Sequence, residues 1–295
     1  MTQKKIVAGD VGGSHITLAL FEENSSGLQL ARIERERVDS FADKSVIIDQ
    51  WISCFKKLET PGAPVFISLA MPAPFDYKEG VCLIKEQGKF RSLYGVNIKK
   101  ELSSELEIPE TSINFINDAQ AFLLGESVFG SGIGLDSLLG ITLGSGLGSA
   151  VKSGNQVRDA ELWSSPFKDS IAENYLGTSW FVQWAKSELG IDLDGVKAFI
   201  SHPKIIDRLE EVFDTYSSHL AEFIQQQYVD FQMEKVIIGG NICLSCDLFL
   251  NKTISKLGYS GLEIPIEISK LGEKSALYGA ASILIDDEHR FESKS

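Results

Sequence analysis

The sequence predicts an α/β fold built as two domains, and three observations carry that expectation. Short apolar strands alternate with amphipathic helical stretches, which implies a mixed or parallel sheet with helical cover. A strand, a glycine bend and a second strand occur at Val7–Phe21 and again at Ser137–Lys152. The echo points to two related halves, although it is too short to prove a duplication. Finally, 295 residues, 43% of them hydrophobic, suffice for two domains of ordinary size, each with a core.

The elements follow in order. Lys4 to Ala8 is mostly apolar and reads as the first strand. His15 to Phe21 continues after the glycine bend. Leu28 to Val38 alternates through Leu28, Leu30 and Ile33 with charges between, so one of its faces is wet. The polar turn Glu23–Gly27 separates the last two. Asp43 to Leu58 is a helix, because Ile47, Ile48, Trp51, Ile52 and Phe55 recur at helical spacing. Pro61–Gly62 ends that segment, and Val65 to Leu69 is a short buried strand. After the stiff Met71–Pro74 loop, Val81 to Ile84 is a short strand and Asn97 caps a helix that runs to Leu106. Ile113 to Ile116 is a strand that delivers Asn117–Asp118 at its C-terminal end, and Ala119 to Phe129 is the helix after it. Ser137–Thr142 and Ala150–Lys152 are strands on either side of the second glycine bend. Helices are then predicted over Trp180–Leu189, Val196–Ile200 and Lys204 to about Tyr228. Lys235–Ile238 is a strand, Gly239-Gly240-Asn241 a third glycine bend, and Leu244–Leu257 a helix. Ile264–Ile266 is a strand and Glu273–Ile285 a last helix. Its small residues Ala276, Gly279, Ala280 and Ala281 admit close approach of another backbone or a flat ligand. The polar tail from Asp286 is expected to fray.

Composition narrows the classes. A net charge of −13 speaks against nucleic acid or an anionic membrane as partner, since both require a basic face. No apolar run reaches the roughly 18 residues that a membrane helix needs. The apolar stretch after Met1–Lys5 stops at Asp10, too short for the core of a signal peptide. Cys54, Cys82, Cys243 and Cys246 do not make a disulfide framework at this length, which points to a reducing cytoplasm.

Three stretches carry candidate chemistry. In Val7–Ile16 an apolar run meets Asp10, and Gly12, Gly13 and Ser14 follow. Such a bend sets bare backbone N–H groups and a hydroxyl beside an acid, the donor set that a phosphate and its metal ion need. Alone it is a weak signal, because hairpins carry Asp and Gly for the positive φ of a turn. Asn117–Asp118 and Gly144–Gly148 answer it. Asp118 stands at a strand-to-helix junction, where open α/β sheets place their chemistry. The plain alternative is helix capping, which Asp favours, and the two roles are compatible.

Four segments taken together resemble the ROK family of sugar kinases, within the actin/hexokinase/Hsp70 superfamily. Asp10-Val11-Gly12-Gly13-Ser14 is similar to the first phosphate loop. Ile116-Asn117-Asp118-Ala119-Gln120-Ala121-Phe122-Leu123-Leu124-Gly125-Glu126 is similar to the catalytic stretch. Gly140-Ile141-Thr142-Leu143-Gly144-Ser145-Gly146-Leu147-Gly148 resembles the second phosphate loop, and Ile237-Ile238-Gly239-Gly240-Asn241 the adenosine loop. The resemblance spans nearly the whole chain. It implies two RNase-H-like α/β domains of the actin/hexokinase type with the active site in the cleft between them. The implied domains are residues 1–116 and 117–283, with a C-terminal helix at 284–295 packing back on the first. Asp118 is then the catalytic base, Asn117 holds the sugar, and Asp10 organises a magnesium ion through water. Gly12, Gly13, Ser14, Gly144, Ser145, Gly146, Gly239, Gly240 and Asn241 line ATP and its phosphates.

The chain departs from that family in two places. ROK kinases commonly carry Glu-x-Gly-His, a cysteine-rich zinc loop and a further Glu. Here Arg158-Asp159-Ala160-Glu161-Leu162-Trp163-Ser164 occupies the first place, with Ser164 where the histidine stands. The cysteine loop is missing, so no structural zinc is expected. Glu161 and Glu173 remain as acceptors for sugar hydroxyls, against the alternative that both are solvated surface acids. Near Lys89–Asn97, Phe90 stands about where the family often has a sugar-binding Asn. Phe90 or Tyr94 offers a stacking face to a pyranose, or is packing. Cys243 and Cys246 have the spacing of a redox pair, but packing is the better reading without a second pair. His202, His219 and His289 are read as surface residues, and His15 as a strand residue within reach of phosphate.

The expected activity is phosphoryl transfer from ATP to a hexose hydroxyl, with glucose 6-phosphate as the first product. Another hexose or an N-acetylhexosamine is the alternative, and a non-catalytic sugar sensor is a different class. A repressor of the same family needs a winged helix ahead of the first phosphate loop, and only nine residues precede Asp10. ATP and magnesium are the expected cofactors. Sugar and ATP are the expected partners, with no nucleic acid and no membrane, and a homodimer is allowed.

Overall fold

The computed structural model describes residues 4–24, 27–58, 65–85 and 89–285. They form two compact units, one reaching Val128 and resuming at Lys274, the other spanning Phe129–Glu273. A division at 116/117 would cut inside the first of these units, within the strand Ile113–Asn117. The expected turn at 23–27 lies partly outside the described residues. Pro61–Gly62, the tail from Asp286, His289 and most of the expected helix 284–295 lie outside them entirely.

The first unit holds β1 (Lys4–Val11), β2 (His15–Asn24), β3 (Gly27–Arg37), α1 (Lys44–Leu58), β4 (Val65–Met71), β5 (Phe75–Asp76), β6 (Val81–Cys82), α2 (Ile98–Leu106), β7 (Ile113–Asn117) and α3 (Asp118–Phe129). Its main sheet has the order β3-β2-β1-β4-β7, while β5 and β6 make a separate small hairpin. β1 runs antiparallel to β2 and parallel to β4, which is parallel to β7. Helix α1 buries Ile47, Ile48, Trp51, Ile52 and Phe55, the residues whose spacing predicts it. Asn97 caps α2 by accepting the Lys100 N–H at 3.0 Å.

The second unit repeats the plan. It holds β8 (Ser137–Leu143), β9 (Leu147–Ser153), β10 (Gln156–Asp159), the hairpin β11 (Pro166–Phe167) and β12 (Ser170–Ile171), α4 (Glu173–Leu176), α5 (Thr178–Leu189), α6 (Val196–Ser201), α7 (Leu209–Phe231), β13 (Lys235–Gly239), α8 (Leu250–Tyr259) and β14 (Ile266–Ile268). The sheet order is β10-β9-β8-β13-β14, with the same sequence of antiparallel and parallel neighbours as the first. The similarity of the two glycine bends therefore extends to whole sheets. Phe181, Phe199, Phe213, Tyr216, Phe223 and Phe249 fill its core.

Three expectations are corrected here. The helix expected at Leu244–Leu257 is instead a 3-10 run over Asn241–Leu248, broken where Ser245 leaves helical backbone, followed by α8. β14 begins two residues late because Pro265 has no N–H to pair; its carbonyl takes the Val236 N–H at 2.9 Å. His219 is half-buried rather than a free surface residue. On α7 it lies edge-on to Phe167, Tyr175 and Trp180, with ring centroids 6.4, 5.1 and 5.3 Å away. Burial, aided by the Lys168 charge and opposed by Glu222, pushes its pKa down to about 4.

The last described helix, α9 (Ser275–Ser282), belongs to the first unit and packs on β1, β2 and β4. It meets α3 backbone to backbone at Gly125 and Gly279. No helix among the described residues is long and apolar enough to cross a membrane.

Candidate active site

In the first unit the sheet register brings Asp10 and Asn117–Asp118 to one end of the sheet. Asp10 pairs with Ala70, and the next residue of β4, Met71, pairs with Asn117. Neighbouring strands are about 4.8 Å apart, so the backbones of Asp10 and Asn117 stand roughly 10 Å from each other. Beyond half-buried Asp10, the Gly12 N–H donates to the His15 carbonyl at 2.9 Å and closes the bend. Gly12 and Ser14 are exposed, and the Ser14 hydroxyl lies 3.0 Å from His15 Nδ1. Neither Gly12 nor Gly13 has positive φ, so the ordinary turn explanation for these glycines does not apply.

At the end of β7, Asn117 is 4% exposed and its side chain is engaged on both sides. Its Oδ1 accepts the Gln120 N–H at 2.9 Å, and its Nδ2 donates to the Tyr77 hydroxyl at 3.1 Å. Tyr77 in turn donates to the Met71 carbonyl at 3.2 Å. The bond that caps α3 three residues on is thus made by Asn117. Asp118 is the first helical residue, half-buried, with its Oδ1 accepting the Ala119 N–H at 2.8 Å.

In the second unit two glycine bends lie side by side at one end of the sheet. Gly239 pairs with Thr142, which sets Gly240 against the end of β8. A Cβ on Gly240 would fall 2.3 Å from the Leu143 carbonyl oxygen, and its φ is +92°. The other bend is held from outside. Thr178 donates both its N–H, at 2.9 Å, and its hydroxyl, at 2.8 Å, to the Gly144 carbonyl. Glu173 Oε2 accepts the Leu147 N–H at 2.9 Å, and a Cβ on Gly146 would lie 2.3 Å from that oxygen. Ser145 and Asn241 are exposed.

Glu161 is exposed, with φ +51°, and its N–H donates to Asp159 Oδ1 at 2.9 Å. Burial, reinforced by the Glu161 charge against the backbone N–H bonds, holds the Asp159 carboxyl above the usual carboxylate range. The Leu162–Ser164 turn packs beside α4, so Glu161 and Glu173 belong to one corner of this unit.

Sequence reasoning missed Tyr77 and Thr178. Tyr77 is 40 residues from Asn117, and no local pattern announces it. A small hydroxyl at a helix start was the available sign for Thr178. Phe90 cannot offer a stacking face: it is 1% exposed and lies edge-on to Trp51 at 5.8 Å. Tyr94 is 52% exposed, with the Lys85 ammonium 5.8 Å from its ring centroid. Cys243 is a packing thiol, donating to the Gly239 carbonyl at 3.1 Å, and burial pushes it up to about 12.

Among the described residues no three His, Cys, Asp or Glu side chains gather into a metal-binding group. Magnesium needs no such cage, since it binds one or two carboxylates and fills its shell with phosphate oxygens and water. Asp10, beside the N–H groups of the first bend, fits that demand.

A model of the ROK family matches residues 6–160. Glucokinase of Thermotoga maritima is 26% identical over 151 residues, 51% of this chain, and the chain spans only 45% of that relative. N-acetyl-D-glucosamine kinase of Photobacterium profundum is 23% identical over an alignment covering 94% of this chain and 98% of that protein. Among solved structures, a ROK family glucokinase from Streptomyces griseus, in complex with glucose and AMPPNP, superposes with a TM-score of 0.71 at 19% identity. That superposition covers 95% of this chain and 98% of the other. The fold is the one these ROK-family sugar-kinase structures share, and the chain belongs to the ROK family.

Proposed function

We propose that the protein transfers a phosphoryl group from ATP to a hexose hydroxyl, with the 6-hydroxyl of glucose as first acceptor. The observation that carries this is the shared end of the first unit's sheet, where Asp118 opens α3 close to the register of Asp10 and its glycine bend. The sugar oxygen bonds to the γ-phosphorus while Asp118 takes the hydroxyl proton. The bond from that phosphorus to the bridging oxygen breaks, and ADP leaves with its electron pair. Asn117, held by Tyr77 and the start of α3, turns its second amide N–H to the sugar. Glu161 and Glu173 accept sugar hydroxyls, Glu173 also steadying the Gly144–Gly146 bend. The backbone N–H groups of Gly12–Ser14 and Gly144–Gly146 receive phosphates, and Gly239–Asn241 the adenosine. Asp10 holds magnesium, which when bound neutralises phosphate charge.

N-acetyl-D-glucosamine is the second acceptor to consider, because the kinase for that sugar matches over 94% of this chain. A cytoplasmic setting agrees with the four free thiols.

The test is ADP release from ATP and magnesium with glucose, N-acetylglucosamine and other hexoses, for the wild type and Asp118→Asn. A positioned general base contributes about 10²–10⁴-fold, so the variant should lose that much turnover while still binding sugar. Turnover within a few-fold of wild type refutes the role of Asp118. A wild type inactive on every sugar refutes the activity.

A further inference from the structure

We propose that Lys89 is a catalytic residue of the first glycine bend, carrying positive charge to the terminal phosphates of a nucleoside triphosphate held at Gly12–Ser14. This rests on the kinase reading above, but nucleotide binding tests it without sugar turnover. A Cβ built on Gly13 would lie 2.3 Å from Lys89 Cδ, 2.8 Å from Cε and 3.0 Å from Nζ. The lysine stem therefore lies flat on the bend, with its ammonium against Gly13. Gly13 has no positive φ, so its backbone does not require glycine. The space beside its Cα is taken by the lysine stem.

The placement is built into the unit rather than left to a loose surface chain. Phe90, the next residue, adopts φ +57°, is 1% exposed and packs on Trp51. A bulky residue in the left-handed region is strained and persists only where its surroundings over-determine it, most often at functional sites. Here the Phe90 N–H donates to the Ser40 carbonyl at 2.7 Å, while the Val38 N–H donates to the Ser14 carbonyl at 2.9 Å. One short segment, Val38–Ser40, thus grips both the glycine bend and the lysine elbow. The bend's own donors, N–H groups and a hydroxyl, are neutral. A triphosphate approaching a chain of net charge −13 needs local positive charge, and an exposed lysine suits phosphate as a point charge. The bland account is that the apolar stem merely covers the bend while its head stays in water.

Calorimetric titration of the full chain with magnesium-ATP and with adenosine separates the two accounts. Lys89→Met keeps the stem and removes the charge. It should weaken ATP binding about tenfold or more, as loss of a charge-assisted contact does, with adenosine affinity and thermal midpoint unchanged. Lys89→Arg should recover most of the affinity. Lys89→Gln, which also removes the charge, should show the same ATP-selective loss and answers the question if Lys89→Met misfolds. Wild-type ATP affinity in Lys89→Met, equal losses for ATP and adenosine, or no ATP binding by the wild type overturns the proposal. Lys89-dependent ATP binding in a wild type that phosphorylates no sugar sinks the hexose kinase and keeps Lys89. Active enzyme with unchanged ATP constants in Lys89→Met does the reverse.

Discussion

Gly279→Ala should destabilise the first unit, although alanine is the better helix former. A Cβ at Gly279 would stand 1.8 Å from the Ala121 carbonyl oxygen, 2.6 Å from its carbon and 2.9 Å from the Gly125 nitrogen. Facing it, a Cβ at Gly125 would stand 2.0 Å from the Ser275 carbonyl oxygen. Every obstacle is main chain, so no rotamer change relieves it. Helices α3 and α9 must part by roughly 1.5 Å to restore normal carbon–oxygen contact. Parting them also stretches the 2.7 Å bond from the Ser275 hydroxyl to Glu126, whose side chain is fully buried. Alanine contributes about 1 kcal/mol through helix propensity. Overpacking costs about 1–3 kcal/mol, and weakening a hydrogen bond to a buried group about 1–3 kcal/mol. The balance is a loss of about 1–5 kcal/mol, so packing wins over propensity. Urea unfolding should show a lower midpoint at unchanged slope. Gly258→Ala in α8 is the control, since a Cβ there meets nothing within 4 Å and should be neutral or stabilising. Wild-type stability in Gly279→Ala would refute the close crossing of α3 and α9. Because α3 opens with Asp118, a damaged crossing should also lower turnover per folded molecule.

The two glutamates separate kinetically. Glu161→Ala should raise the sugar KM about tenfold or more and leave the ATP KM nearly unchanged, as loss of a charge-assisted bond of about 1.5–3 kcal/mol predicts. Glu173→Ala should raise both, because the Leu147 N–H beside the Gly144–Gly146 bend loses its acceptor; an unchanged sugar KM in both variants means the sugar is held elsewhere. Stability should also fall on mild acidification. The folded pKa of His219 is lowered from 6.5 to about 4, so the unfolded chain takes up its proton first and stability drains as pH falls from about 6.5 towards 4. The full difference corresponds to about 3 kcal/mol, reduced to about 1–2 kcal/mol by partial solvent access. Denaturation midpoints that do not change over that window, or that change equally in His219→Phe, would contradict this.

What was legible in the sequence is what a short stretch can encode. The spacing of Ile47, Trp51 and Phe55 foretold the buried face of α1, and Asn117–Asp118 declared itself because motif and strand end coincide in one run. Relations between distant stretches were not legible. Nothing around Asn117 names Tyr77 as its anchor, and a histidine among polar residues hides that Phe167, Tyr175 and Trp180 enclose it. The glycines show the reason most clearly. In a linear reading a glycine stands for a turn, yet Gly13, Gly146 and Gly279 have no positive φ. Beside each, another part of the chain fills the space a side chain would take: the Lys89 stem, the Glu173 carboxylate and the backbone of α3. Gly240 alone of these four needs glycine on both counts, its φ of +92° and the Leu143 carbonyl beside it. The identity of the neighbour that takes a glycine's missing side-chain space is set by sheet register and helix crossing, which no local pattern records. For that reason the bends could be located from sequence, while the residues that make them rigid and charged could not.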